Sequence, residues 1–368
     1  MKRRTLLALV IAVLSSVFAV DMSATCNADD SGESKIDPKA IIFEHLGDGY
    51  GWEVPFNHHV RMPLPVIVRA YDGSWHCFSS SRIGHGERYD DGGYIFYVPS
   101  EGDYKGKVVG LDAAGEVYRP WDLSVTKNVM ALFISVIVVM LCCFPVARWH
   151  RRHGYKAPRG FVGAVESLIE FVYNGVVKPT LKEDARRFAP YLLTVFMFIF
   201  IMNLLGLIVV FPGGANLTGN IAVTLSLAVI TFLFTNLFGT KHYWKEIFWP
   251  DVPWWLKVPL PIMPMIEIFG VFTKPAALTV RLFANMMGGH MIVIVFTLLI
   301  FIFADMGAVA LGTTTVVSVG FSIFMLLIDV LVSFIQAYVF TMLSTMFISL
   351  AQEKGHGHGS EEHAAVEA

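Results

Sequence analysis

Five apolar runs, each near or beyond twenty residues, constrain this chain more than anything else in it. They cover residues 125–147, 189–211, 220–239, 259–304 and 314–352. A helix of about twenty apolar residues matches the ~30 Å hydrocarbon core of a bilayer. Composition agrees: of 368 residues 55% are hydrophobic and 16% charged, where a soluble domain carries about 25% charge. The mean hydropathy is +0.57. The pattern predicts an all-α polytopic membrane protein of about five membrane helices. The formal net charge of −2 selects no partner. No basic patch with interleaved aromatics suggests nucleic acid.

The runs are preceded by a different kind of sequence. Lys2, Arg3 and Arg4 open an apolar stretch that ends in small residues, the pattern of a signal peptide over 1–22 with cleavage near Ala19 to Ala24. Residues 23–120 are polar and rich in turn signals. HVRMPLPVIVRA, YDGSWHCF, GGYIFYVP and KVVGLDAAGEVYRP read as short strands. A small β-rich exported domain is expected there. Its histidines, His45, His58, His59, His76 and His85, fit no metal-ligand spacing and read as surface or structural groups. Cys26 and Cys77 would share an oxidising compartment, where a disulfide is open to them. A lipid anchor on Cys26 is disfavoured by the poor motif Ser23-Ala24-Thr25 before it. Cys142 and Cys143 fall inside the first apolar run and read as packing residues.

Charge sets orientation. The first run ends in ARWHRRHGYKAPR, a basic loop that should be cytoplasmic. The amphipathic stretch 160–187 suggests a helix at the cytoplasmic interface. FPGGANLTGN has no Lys or Arg and should face outward. KHYWKEIFWPDVPWWLK, with Lys241, Lys245 and Lys257 and its aromatic belt, should return inside. The last two runs exceed a perpendicular span, so their helices must break or tilt. They should form a long tilted antiparallel C-terminal hairpin, turning at FADMGAVALGTTT. The membrane domain would then be 121–352, followed by a disordered cytoplasmic tail, 353–368.

Ionisable residues interrupt the hairpin. Arg281 stands mid-run, where a guanidinium costs ~2.5–3.5 kcal/mol or more and cannot deprotonate. Glu267, Lys274 and Arg281 recur every seven residues, and Asn285 extends their face by a turn. Ala277, Ala284 and Gly288 leave that face low, so another helix can come close. On the last run Ser322, Asp329 and Gln336 are also seven apart, with Ser333 between them. His290 lies nine residues after Arg281, about half a revolution round the helix. Two bland readings stand beside a functional one: an internal Arg281–Asp329 ion pair, or a water-filled cavity for a solute. Intramembrane ionisable groups otherwise mark ion pathways and proton relays.

RLFANMMGGH followed by DVLVSFIQAYVFTMLSTMFISLA resembles the ATP synthase subunit a family, the stator channel of the F-type membrane sector. APRGFVGAVESLIEFVYNGVVKPTL, FIFIMNLLGLI with Asn203, and TGNIAVTLSLAVITF with Asn220 extend the resemblance over about 121–352. It does not cover most of the exported domain. The resemblance implies that Arg281 faces a rotating c-subunit ring whose buried carboxylates it helps to ionise. It implies that Gln336 lies alongside Arg281, and that b-type stator subunits and other ATP synthase subunits are partners. It also implies a bacterial inner-membrane location. Many bacterial members carry a glutamate at the position of His290 and a histidine at that of Asp329; here the acid and the imidazole are exchanged. His290, Asp329, Asn203 and Asn220 are expected to line the outward half-channel, and Glu267 and Asn285 the cytoplasmic one. Gly206 departs from the family, which often has an acid there.

The same reading excludes other classes. No phosphate loop with Lys-Ser/Thr appears, so any ATP chemistry belongs to other chains. A hydrolase would need a nucleophile with a base, or HExxH, and neither is present. A secondary transporter would usually show two related halves, and no repeat is visible. No cofactor and no metal site is expected. The coupling ion, H⁺ or Na⁺, is not encoded in these motifs; base rates favour H⁺.

Overall fold

A computed structural model describes residues 47–53, 61–83, 88–99, 104–111, 117–154, 156–208, 217–248, 262–304 and 308–352. The signal-peptide segment, Cys26, His45, His58, His59, His85, the tryptophan-rich stretch 249–261 and the tail 353–368 lie outside the described residues. The chain divides into two compact units. One comprises Met1–Leu141, Ile201–Leu217 and Met286–Val332; the other comprises Cys142–Phe200, Thr218–Asn285 and Ser333–Ala368.

In the first unit the N-terminal region is β-rich. Its strands are β1 (Gly51–Glu53), β2 (Arg61–Pro63), β3 (Pro65–Arg69), β4 (Trp75–Ser79), β5 (Tyr89–Asp91), β6 (Tyr94–Tyr97), β7 (Val109–Leu111), β8 (Val117–Tyr118) and β9 (Trp121–Asp122). They form antiparallel sheets in the orders β1-β2, β4-β3-β9 and β5-β6-β7-β8. Period-two alternation sends Val66, Val68 and Phe78 inward from the three-stranded sheet. They meet Phe96 of the four-stranded one, and Val108 just before β7, in a single core. Gly73, at φ +90°, turns β3 into β4, a conformation that side chains with a Cβ disfavour. This is the β-rich region the sequence predicts.

The first helix, α1 (Lys127–His153), follows β9 almost without a linker. The apolar run explains its body; its last turn carries His150, Arg151, Arg152 and His153, favourable at a helix C-terminus. Next come α2 (Phe161–Val172), a π turn (Tyr173–Val177) and α3 (Lys178–Leu181), all within the second unit. This amphipathic stretch does more than offer a face to an interface. Phe171 packs on Phe334 and Tyr338, with centroids 6.1 and 5.7 Å away, and the Ser349 hydroxyl donates to the Thr180 carbonyl at 3.2 Å. The stretch thus meets the final helix at two places, and it buries Val165, Val172, Val176, Val177 and Leu181.

Then follow α4 (Ala185–Leu207), α5 (Ile221–Leu237), α6 (Lys241–Phe248), α7 (Ile262–Ala304) and α8 (Ala308–Gln352). Among the described residues four helical stretches are long and apolar enough to cross a membrane. The 17-residue α5 is shorter, about 26 Å at 1.5 Å per residue. In the second unit the Tyr191 ring stacks on Phe234 at 4.0 Å and its hydroxyl meets Thr231 Oγ1 at 3.0 Å, joining α4 to α5.

The predicted hairpin is continuous rather than broken. α7 has 43 residues and α8 has 45, each about twice the length that spans hydrocarbon. Pro275 sits inside α7 without ending it. The two run antiparallel within each unit. In the first, Phe296 stacks on Phe321 at 5.4 Å; in the second, Lys274 Nζ lies 5.4 Å from the Phe347 ring. The C-terminal half of α8 is lined by buried small polar residues, Ser333, Thr341, Ser344 and Thr345. Thr341 and Thr345 return their hydroxyl protons to carbonyls four residues back, at 2.9 and 2.7 Å, so they present little but methyl groups to a neighbour.

Candidate functional site

Arg281 is held on α7 between two kinds of surface. Leu278, Thr279, Leu282 and Met286 face protein and are buried. Ala277, Val280, Arg281, Ala284 and Asn285 form an exposed lane at i, i+3, i+4, i+7 and i+8 spacing. Arg281 has no ion-pair or hydrogen-bond partner among the described residues. The internal ion-pair reading therefore finds no support. A cation stands on the outer face of an apolar helix, flanked by alanines that leave the backbone accessible.

Gln336 is on α8 in the same unit and is 6% exposed. Its Nε2 is buried with no hydrogen-bond partner among the described residues. Leaving such a donor unmatched costs ~1–3 kcal/mol. Most buried amides are paired, which sets this one apart among the described residues.

Asp329 belongs to the other unit, on the N-terminal half of α8, and is half-buried. Its carboxylate lies against the backbone of α7 at Gly289. A Cβ built on Gly289 would stand 2.6 Å from Asp329 Oδ1 and 2.9 Å from Cγ and Oδ2. No such contact exists at Gly288. Only one of the two adjacent glycines is thus required by packing, and it precedes His290 directly. His290 and Glu267 lie on α7, but their side chains are outside the described residues.

Comparison with known proteins shows the family. The ATP synthase A chain family matches residues 129–349, which contain Arg281, Gly289, Asp329 and Gln336. The chain belongs to the ATP synthase A chain family. Similar proteins include ATP synthase subunit a 2 of Chlorobaculum tepidum, 41% identical over 265 residues, or 68% of this chain and 72% of that one. ATP synthase subunit a of Chlorobium phaeobacteroides is 38% identical over 300 residues, covering 77% and 80%. That of Myxococcus xanthus is 39% identical over 257 residues, covering 67% and 79%. A separate domain family of unknown function matches residues 41–126. Membership makes the chain a non-catalytic, multi-pass membrane subunit of the ATP synthase.

Two further residues of this family member were singled out by sequence. Asn203, on α4, is 1% exposed, and its Oδ1 is buried without a partner among the described residues. Asn220 plays a local structural part, because its side-chain oxygen accepts from the Ala222 N–H at 3.0 Å and caps α5. Sequence reasoning passed over Ser318, whose buried Oγ also lacks a partner among the described residues. The available signal was its spacing: it stands eleven residues before Asp329, three helical turns along the same face. Nothing in the sequence pattern marks Gly289 as the residue whose missing Cβ makes room for Asp329.

The β-rich region contains a constellation that invites a hydrolase reading. His76 Nε2 lies 2.9 Å from Ser74 Oγ, and His76 Nδ1 lies 2.9 Å from Asp91 Oδ2. However, the Ser74 hydroxyl donates its proton to Asp72 Oδ1 at 2.7 Å. That proton is unavailable to His76, so Ser74 is not poised as a nucleophile. The ring ties a turn to the neighbouring sheet and acts as a structural histidine. Among the described residues no group of His, Cys, Asp or Glu side chains could hold a metal ion.

Proposed function

We propose that this chain is the proton-translocating stator subunit of the F-type ATP synthase membrane sector, and that Arg281 separates two offset half-channels. The carrying observation is the exposed guanidinium, without a partner among the described residues, on a lane of small residues in an apolar helix. An isolated charge there is costly in lipid, so a negative partner from outside the chain is needed. A ring of c subunits with membrane-buried carboxylates fits. As each carboxylate reaches Arg281, the fixed cation favours its ionised form and drives proton release. Arginine keeps its own proton, so it attracts the carboxylate without relaying protons between the half-channels.

His290, Asp329, Asn203 and Asn220 would line the outward half-channel, and Glu267 and Asn285 the cytoplasmic one. Gln336 would stand beside Arg281. The amide atoms of Asn203 and Gln336 that lack a partner among the described residues support a polar lining, because a wet path satisfies groups that dry packing leaves unmatched. An imidazole and a carboxylate together can pass protons near neutral pH. The basic loop after α1 would lie in the cytoplasm of a bacterial cell, with the β-rich domain in the periplasm and the C-terminus inside, a reading supported by the preference of lysine and arginine for cytoplasmic loops. The b-type stator subunits would hold the chain against the rotating ring.

The test is reconstitution of the complete complex with wild-type protein or Arg281→Ala. ATP-driven acidification and passive proton leak are measured separately. Lost pumping with intact assembly and a raised leak is the expected result. Normal pumping by Arg281→Ala would make the arginine a structural group and end the proposal.

A further inference from the structure

We propose that the outer face of the β4-β3-β9 sheet rests on the lipid headgroup layer beside α1, as an interfacial anchor for the N-terminal domain. The proposal is independent of how protons move and of which side of the membrane the domain occupies.

The sheet has two unlike faces. Val66, Val68, Phe78 and Ser124 point into the core. The alternate residues point out. Register aligns Trp75, Arg69 and Trp121 in one row across the three strands. Cys77 and Ile67 form the next row, which Leu123 extends by donating its N–H to the Ile67 carbonyl at 2.9 Å. Trp75, Trp121 and Leu123 are 56%, 75% and 60% exposed. Three large apolar side chains exposed together around one arginine are uncommon on a surface that meets only water. Tryptophan is the residue suited to the headgroup level, with an apolar ring body and one N–H donor. Arg69 lies over the Trp75 ring, its guanidinium 5.7 Å from the centroid, where it can meet lipid phosphates.

Continuity with the lipid-facing surface selects the occupant. Only residues 123–126 separate β9 from the start of α1. They are bonded to the domain: Val125 N donates to the Pro65 carbonyl at 3.1 Å, and Lys127 N to the Gly49 carbonyl at 2.9 Å. The Ile67 N–H donates to Ser124 Oγ at 3.0 Å. No loose tether can lift the sheet away from the helix. Four steps at about 3.4 Å put Leu123 within about 14 Å of Lys127. Val129 and Phe133, on the first turns of α1, are themselves exposed and apolar. Large apolar side chains are thus exposed on the sheet and again, a few residues on, along the first turns of α1. A strand lying along the bilayer surface would set both tryptophans among the headgroups, a layer of several Å on each side of the hydrocarbon.

Cys77 is exposed at the centre of this face and serves as the probe position. The full ATP synthase, carrying Cys26→Ser, Cys142→Ser and Cys143→Ser, is labelled at Cys77 with an environment-sensitive fluorophore and placed in phosphatidylcholine nanodiscs. A control carries Cys77→Ser and Lys105→Cys, with the label in the turn before β7. Shallow nitroxide-labelled lipid and aqueous iodide are the quenchers. The expected result is a blue-shifted emission at Cys77, quenched more by the lipid than by iodide, with the reverse at the control. Trp75→Ser with Trp121→Ser should return the Cys77 label to water without loss of assembly. Iodide quenching equal to the control would overturn the proposal. So would protection from both quenchers, which would mean that protein, from this chain or another, covers the face. Unchanged quenching in the double tryptophan variant would overturn it as well.

Discussion

Replacing Gly289 by alanine should damage proton transport while barely touching the fold. The added Cβ would lie 2.6 Å from Asp329 Oδ1. An unstrained carbon–oxygen contact needs roughly 3.4 Å, so the carboxylate must retreat by about 0.8 Å or leave its rotamer. Overpacking of this kind costs ~1–3 kcal/mol, offset by the ~1 kcal/mol that alanine gains over glycine in a helix. The net effect on stability is then a loss of roughly 0–2 kcal/mol, small enough for the complex to assemble. The functional cost is larger in proportion. A misplacement near 1 Å can lower a positioned transfer by up to ~10²-fold. ATP-driven acidification should fall about tenfold or more in Gly289→Ala vesicles. Gly288→Ala is the matched control: nothing lies within 4 Å of its added Cβ, and it carries the same propensity gain. It should pump normally. Equal pumping by the two alanine variants would refute the seating of Asp329 against Gly289 as a functional contact.

Gln336→Leu separates function from stability in the opposite direction. Removing a buried amide with an unmatched Nε2 should leave thermal stability equal or raise it by up to ~1–3 kcal/mol, while pumping falls; a destabilised complex would mean that the amide is paired after all. In the β-rich domain, hydrogen bonds from the Ser74 hydroxyl and N–H, then from Tyr94, hold the Asp72 carboxyl at about 2, below its ordinary value of 3.8. A depressed carboxyl contributes stability above its unfolded value and loses it as pH falls through the folded one. Resistance of the domain to proteolysis in the intact chain should therefore decline between about pH 4 and pH 2, and Asp72→Asn should flatten that decline. An unchanged acid profile in Asp72→Asn would refute the assignment.

Much of this was legible without coordinates. Length and hydropathy of the runs are read one residue at a time, and they specified the helices and the long final pair. The i, i+7 recurrence of Glu267, Lys274 and Arg281 placed the arginine on a small-residue lane, because helical period is local geometry. Boundaries were less legible. α1 continues to His153, past its apolar run, since basic residues are good helix formers and suit a helix C-terminus. The amphipathic stretch after α1 read as interfacial because an apolar stripe shows that something covers it, not what does. Its partner, Phe334 and Tyr338 of α8, lies more than 160 residues away in sequence.

The sequence by itself determined the class of the molecule: helices for a bilayer, a β-rich N-terminal region, and one permanent cation where lipid should be. These follow from composition and period, which are properties of neighbouring residues. Tertiary structure alone decided which polar groups stand open and which are used. It left Arg281 exposed, bound the oxygen of Asn220 into a helix cap, and set the Asp329 carboxylate against the one glycine that leaves room for it. Contacts of that kind depend on how distant segments meet, and burial and distance there are properties of pairs that no single stretch of chain contains.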